Sequence, residues 1–322
     1  MGLPHVVMSS ALWVQIFLRT PQVGGKQIKM TGGQQIEMTM QYDAFDDQYK
    51  GCEKEMDSIA SQLLKDEMRN NKFLLETWAK ARDKWQNEIK KKVSPLPLGF
   101  KDEYGIAVIM YTCHQLYRDF NQAVRTNGTS LTYYQKNFQY KAFHFYLTRA
   151  LQLLPKVKYT IKLFRGLDRF THRGRGPMRF GHFSSTSQNR SISESYGNRT
   201  FYTIYTYLGV DIQKFSFHEN EQEVLIPVNE VFTVTPKKGG HFILNSKKAL
   251  ACFNCAYKGS ELLGNIPGLV LEGNSFIHSI VFIEHRIHSF IHLIVFIEHL
   301  LCVEPCNKRL KSTIRQQIET IP

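Results

Sequence analysis

The chain has 322 residues, 43% of them hydrophobic, with 41 Lys and Arg against 28 Asp and Glu for a net charge of +13. That length and apolar content suit one sizeable core or two modest ones and exclude a disordered tail protein. The basic excess favours anionic small molecules or polyanionic surfaces, but no zinc-finger spacing or RNA-binding aromatic signature accompanies it, so no nucleic acid is expected as a partner.

Near the start, Val6 to Leu18 has the length of a signal-peptide hydrophobic region, but no Lys or Arg precedes it, and Ser9, Ser10 and Gln15 dilute it. Residues 1–24 are read as a weak secretory signal, too short to span a bilayer comfortably, and the Gly- and Met-rich residues 25–41 as a linker. From there the apolar spacing is helical: Met56, Ile59, Leu63 and Leu64, then Phe73, Leu74, Trp78, Ala81 and Trp85. That run ends in Lys90, Lys91 and Lys92 before Pro95 and Pro97, where a helix should stop. Helical spacing resumes through Leu116, Phe120 and Val124 and through Phe143, Phe145, Leu147, Leu151 and Leu154 up to Pro155. Residues 42–155 therefore read as a helical subdomain whose aromatic stripes are core.

After Pro155 the pattern changes to short β-branched or aromatic segments, Tyr159 to Arg165, Phe180 to Ser187, Thr200 to Tyr207 and Val224 to Ile226, separated by Gly-rich turns. Residues 156–260 read as a sheet domain. No Gly-x-Gly-x-x-Gly follows a strand and opens a helix, so a Rossmann dinucleotide site is unsupported.

The chemistry concentrates in Phe-His-Glu-Asn-Glu-Gln-Glu-Val-Leu-Ile-Pro, Phe217 to Pro227. If the strand extends back through the acids, Glu221 and Glu223 emerge on one face with Gln222 turned away. Two such carboxylates repel, and their natural use is divided labour: one stays ionised beside developing positive charge, and the other accepts a proton. Cleavage of a glycosidic bond, through an oxocarbenium-like transition state, needs that arrangement.

The six cysteines include two close pairs, Cys252/Cys255 and Cys302/Cys306, a spacing open to zinc, redox chemistry or disulfides. The sequons at Asn127, Asn189 and Asn198 fit a secreted chain, which favours disulfides.

Three pieces stand in fixed order: Phe164-Arg165-Gly166, Ser185-Thr186-Ser187, and Glu221-Gln222-Glu223 running directly into Val-Leu-Ile-Pro. Together they resemble the signature of the arginine-specific mono-ADP-ribosyltransferases of the vertebrate ecto-enzyme family, relatives of the bacterial ADP-ribosylating toxins. The likeness extends over about residues 42–258, through Ala44 to Cys52, Gly105 to Thr112, Phe120 to Arg125, Phe143 to Leu154 and Arg179 to Phe183.

The resemblance implies an α+β fold, a helical N-terminal subdomain packed on a two-sheet β-sandwich core. It implies transfer of ADP-ribose from NAD, or NADP, to arginine side chains of acceptor proteins. NAD would be a co-substrate in a cleft of the core, with no permanently bound cofactor and no metal. Arg165 would pair with the pyrophosphate and Gly166 would let the backbone approach the nicotinamide amide. Ser185 would fix Glu223, and Glu223 would hold the nicotinamide ribose and stabilise positive charge as nicotinamide departs. Glu221 would receive the acceptor guanidinium and assist its deprotonation. Ser216 and Tyr111 match further NAD contacts, and Cys52 and Cys255 match the family's disulfide. The sequence departs from the family in lacking a cysteine just before Arg165 or near Thr200, where many members carry a second disulfide.

Two other functions fit the same scaffold: hydrolysis of NAD with water as acceptor, and a secreted binding protein without turnover. The expected protein is monomeric and passes through the secretory pathway. Residues 261–322 stand apart: Ser275 to His285 recurs as Ser289 to His299, a tandem repeat without counterpart in the family. Glu284, Arg286, Glu298 and several His interrupt its apolar run, which makes a poor membrane span, and duplication explains the spacing of its His residues better than a metal site does.

Overall fold

The computed structural model describes residues 36–113, 116–168, 170–172 and 176–258. The expected signal segment, most of the linker and the repeat tail lie outside them.

Among the described residues before Pro155 lie seven α-helices: α1 Glu53–Asn70, α2 Lys72–Lys84, α3 Lys90–Val93, α4 Asp102–Tyr111, α5 Leu116–Thr126, α6 Leu131–Asn137 and α7 Lys141–Leu153. Local chemistry sets their limits. The Asn71 side chain caps α2 by accepting the Leu74 N–H at 3.0 Å, and Ser130 caps α6 by accepting the Tyr133 N–H at 3.1 Å. α3 stops before Pro95 and α7 before Pro155, as the prolines require. α4 is buried from Tyr104 through Tyr111, so it runs through the interior, as a helix apolar all round must.

The strands are β1 Ile36–Glu37, β2 Leu163–Leu167, β3 Phe170–Thr171, β4 Ser184–Ser187, β5 Thr200–Tyr205, β6 Val210–Asp211, β7 Glu223–Ile226, β8 Glu230–Pro236 and β9 His241–Ala249, with helix α8 Arg190–Ser195 between β4 and β5. The fold is α+β. The two sheets expected from the sequence join through one residue pair, Phe164 with Ser187, into a seven-stranded sheet of order β6-β7-β4-β2-β5-β9-β8. Only β5 and β9 pair in parallel in that sheet. A separate pair, β1 with β3, takes up Ile36 and Glu37, and Met38 beside them is buried, so the linker ends earlier than its composition suggested. β8 and β9 are also additions to the sequence reading; their signal was the β-branched run around Val231 to Thr235 and the turn at Gly239 and Gly240.

β7 is buried along its whole length because each face meets a different core. Leu225 packs into a cluster with the helices, including Trp85, Phe120, Phe143 and Phe183; Val224 and Ile226 pack into a second cluster with Phe180, Tyr202 and Phe232. Helices and sheet therefore share the first of these clusters rather than abutting as separate bodies.

The segment before α1 is welded to residues 250–256. Asp46 Oδ1 accepts the N–H groups of Cys252 and Phe253 at 2.8 and 3.0 Å; Asp47 accepts those of Cys255 and Ala256 at 3.0 and 2.7 Å. The fully buried Arg179 bridges the same region, pairing with Asp46 and donating to the carbonyls of Met40, Gln41 and Leu250. The disulfide Cys52–Cys255 closes the weld, as the family resemblance implied. Cys113 is a free thiol.

Candidate active site

β4 and β7 are antiparallel with Ser187 opposite Glu223 and Ser185 opposite Leu225. Residues directly opposite, and those two apart on one strand, share a face, so Ser185, Ser187 and Glu223 all point to the helix side. There a cavity of about 540 Å³ opens between the sheet and helices α4 and α5. Its lining includes Arg165, Gly166, Ser185, Glu221, Glu223 and Tyr111, six of the seven site residues expected from the sequence. Ser216 is not on that lining: it is fully buried, and its hydroxyl accepts the His218 N–H at 2.9 Å.

The two glutamates converge for a reason other than strand alternation. Glu221 ends a 3₁₀ turn, Glu219–Glu221, and Gln222 takes the left-handed conformation (φ 49°, ψ 49°) before β7 begins at Glu223. A non-glycine residue in that region costs on the order of 1 kcal/mol, strain that is kept where it serves a site. The turn is held by Ser187, whose hydroxyl donates to the Glu221 carbonyl at 2.6 Å.

Glu223 is 4% exposed, and burial, reinforced by the Glu221 charge, pushes its pKa up to about 7, against the pull of the Ser185 hydroxyl and the Arg165 guanidinium. Arg165 Nη1 donates to the Ser185 carbonyl, tying the first motif to the second. Burial lowers the Arg165 pKa, yet its Nε has no hydrogen-bond partner among the described residues. Tyr111, at the end of α4, is fixed from both sides: its hydroxyl donates to Phe183 O at 2.7 Å and accepts from Asn121 Nδ2 at 2.9 Å.

Gly166 is required by the protein's own backbone. A Cβ there would lie 2.0 Å from Gly197 O and 2.3 Å from Ser193 O, so the strand carrying Arg165 packs tightly on the turn after α8.

Sequence reasoning passed over a second guanidinium. Arg125 on α5 lines the same cavity, lies over the Phe170 ring at 4.9 Å, and has an Nε without a partner among the described residues. Burial and the neighbouring Arg165 charge bring its pKa down to about 10, so it remains a cation at neutral pH. Its Nη2 lies 2.8 Å from His182 Nδ1 and 3.3 Å from Nε2, and burial with the two guanidiniums holds His182 well below its usual pKa, leaving a neutral ring that can accept. Asn121, one helical turn before Arg125, presents a buried Oδ1 that is likewise unpartnered. Among the described residues the lining carries three guanidiniums, Arg118, Arg125 and Arg165, with the carboxylates Glu221, Glu223 and Asp168, and the guanidiniums suit a ligand carrying more than one anionic group. Among the described residues no three His, Cys, Asp or Glu side chains cluster as metal ligands.

The family model described as NAD:arginine ADP-ribosyltransferase matches residues 38–250. The chain belongs to that family. This ADP-ribosyltransferase is 40% identical over 237 residues to human Ecto-ADP-ribosyltransferase 5, covering 68% of its own length and 80% of the relative. It is 41% identical to mouse T-cell ecto-ADP-ribosyltransferase 1, covering 72% and 82%. The crystal structure of the eukaryotic mono-ADP-ribosyltransferase ART2.2 superposes with a TM-score of 0.63 at 36% identity, covering 69% of this transferase and 99% of that chain. Mutants of ART2.2 have been solved with NADH and with NAD.

Proposed function

We propose that this protein transfers ADP-ribose from NAD to arginine side chains of acceptor proteins and releases nicotinamide. The observation that carries the reading is the single cavity in which a desolvated glutamate, Glu223, stands with Glu221, Arg165 and Ser185. Arg165 and Arg125 both line the cavity, and their guanidiniums hold the pyrophosphate.

Ionised Glu223 binds the 2′-hydroxyl of the nicotinamide ribose. As the C1′–N bond breaks, its electron pair leaves with the nicotinamide, whose ring nitrogen loses its positive charge. The developing oxocarbenium charge is then stabilised by the Glu223 carboxylate, whose low-dielectric setting strengthens that interaction. A guanidine nitrogen of the acceptor forms the new bond to C1′ from the opposite side, and its proton passes to Glu221. Ser185 keeps Glu223 in place; Tyr111 and Gly166 shape the wall.

The named relatives are ecto-enzymes, and the disulfide Cys52–Cys255 suits an oxidising compartment, which supports a place outside the cell. No described helix is long and apolar enough to cross a membrane. Incubation of the purified protein with NAD and agmatine tests the function: ADP-ribosyl-agmatine is expected, whereas free ADP-ribose alone would replace the transferase by a hydrolase. Glu221→Gln should remove agmatine transfer while leaving hydrolysis measurable; equal loss of both would remove Glu221 from its acceptor role.

A further inference from the structure

Three asparagines open sequons that the transferase reading leaves unused, and the fold treats them differently. The Asn127 side chain is employed locally: Nδ2 donates to Asn137 O at 3.1 Å, and Oδ1 accepts the Thr126 hydroxyl at 3.1 Å. Asn189 caps α8, its Oδ1 accepting the Ser191 N–H at 3.0 Å. Asn198, in the turn between α8 and β5, is exposed. Its backbone N–H, rather than its side chain, anchors it, by a 3.1 Å hydrogen bond to Asp168 Oδ1.

That turn borders the cavity mouth. Asp168 is on the lining, and so is Tyr196, which precedes Asn198 by two residues and so lies within about 7.6 Å of it from Cα to Cα. Tyr196 is 54% exposed, and its hydroxyl donates to Glu221 Oε1 at 2.5 Å, so the turn stands on the side of the mouth where the acceptor carboxylate lies. It is also pinned: Asp168 Oδ1 accepts the Arg199 N–H at 3.4 Å as well, and the Ser193 hydroxyl donates to Phe164 O at 2.8 Å. A group attached to Asn198 is therefore carried at a fixed place beside the mouth.

We infer that Asn198 carries an N-linked glycan, and that this glycan screens the mouth so that protein acceptors approach less freely than small guanidines do. The screening rests on the transferase function, and the modification on the place outside the cell, both proposed above. In the attachment step Asn198 Nδ2 forms a bond to C1 of the first sugar of a lipid-linked oligosaccharide. The lipid pyrophosphate leaves with the electron pair of the broken C1–O bond, and Nδ2 gives up one of its two protons. The bonds to Asp168 come from the backbone, so the turn keeps its shape. A glycan is bulky and solvated, and on an exposed side chain it fills the solvent beside the turn rather than the cavity. NAD and agmatine pass beside it. A folded protein must bring a surface arginine to Glu221 with its own bulk against the rim, and the glycan removes part of the orientations in which that succeeds. The acceptors favoured are arginines on protruding segments.

The full chain is secreted from cultured mammalian cells, and the peptides spanning the three sequons are weighed before and after enzymatic removal of glycan. Asn198 is expected to be occupied. Glycan at Asn127 or Asn189 with Asn198 bare overturns the proposal; three bare asparagines overturn it together with passage through the secretory pathway. Wild type, wild type trimmed by an endoglycosidase to one sugar at each site, and Asn198→Gln are then compared with agmatine and with histone octamers, a folded arginine-rich acceptor. The substitution is made at Asn198 because Thr200, which completes the sequon, is buried with its hydroxyl on Phe170 O at 2.6 Å. Trimming and Asn198→Gln should each raise octamer transfer about 3- to 10-fold and leave kcat and KM for agmatine and for NAD unchanged. Octamer transfer equal in all three samples, zero included, or a parallel rise in agmatine transfer, overturns the screening role. If wild type makes no ADP-ribosyl-agmatine, the transferase function fails and the screening with it, while the peptide masses still decide whether Asn198 is modified.

Discussion

Replacing Glu223 by Gln should abolish transfer and make the protein more stable, with most of the gain at neutral and alkaline pH. The Glu223 carboxylate is 4% exposed, and burial raises its pKa from 4.5 to about 7. In the unfolded chain the group gives up its proton near 4.5; in the folded protein it holds the proton until about 7. Between those values the unfolded state binds fewer protons, so stability falls as pH rises through the window and levels off above it. The full difference corresponds to about 3 kcal/mol, and at pH 5 only about 1 kcal/mol of it has developed. Gln keeps the shape and carries no charge to desolvate. For a folded region of this size each kcal/mol moves Tm by about 2 to 4 °C, so Glu223→Gln should melt about 6 to 12 °C above wild type at pH 8 and only a few degrees above it at pH 5. Differential scanning calorimetry of both proteins at the two pH values measures this. An equal rise at both, or no rise at pH 8, would refute the claim that the site keeps Glu223 ionised against its surroundings. The same titration makes kcat/KM for NAD fall about tenfold per pH unit below about 7 in wild type.

Arg125→Gln removes one of the two cations at the NAD end, and the KM for NAD should rise roughly 10- to 100-fold with a weaker dependence on ionic strength; an unchanged KM in steady-state assays would take Arg125 out of the pyrophosphate site. Gly166→Ala drives a methyl group to within 2.0 Å of Gly197 O and 2.3 Å of Ser193 O, both of them backbone oxygens that cannot swing aside. The α8 turn must then move away from β2, and NAD turnover should drop about 100-fold or more while circular dichroism stays native; near-normal turnover would show that the strand tolerates the shift.

Arg165, Ser185 and Glu223 were singled out by the resemblance of three short motifs in fixed order, each unremarkable alone, and the structure adds that all three line one cavity. The convergence of Glu221 and Glu223 was also legible, but the strand period that suggested it was the wrong cause: a left-handed Gln222 turns the chain between them, and a single sequence does not announce that conformation at a Gln. Arg125 and Asn121 were harder. Phe120 and Val124 dominate the reading of α5 as a core-facing stripe, and the polar pair four residues apart beside them is equally compatible with a solvated face until β2 and β4 are placed against it. Tyr196 gave no signal at all, since its partner Glu221 is 25 residues away and belongs to another motif. β8 and β9 were passed over although their composition favours strands, because their pairing completes the sheet edge away from the chemistry that drew the reading.

The charged side chains of this protein divide into two kinds by how completely they are satisfied. Arg179 is fully buried with its guanidinium spent on Asp46, Met40 O, Gln41 O and Leu250 O, and Asp46 in turn accepts two backbone N–H groups. Arg165 and Arg125 retain an Nε without a partner among the described residues, and Glu223 stands in a setting that opposes its charge. Under the proposed function these two guanidiniums on the cavity lining are the groups that the NAD pyrophosphate takes up. The opposed charge of Glu223 destabilises the fold, as does the left-handed Gln222, and something must offset it. The weld of Asp46, Asp47, Arg179 and the Cys52–Cys255 disulfide ties the start of the folded region to residues 250–256. Its stabilisation comes from Asp46, Asp47, Arg179, Cys52 and Cys255, none of which is on the cavity lining.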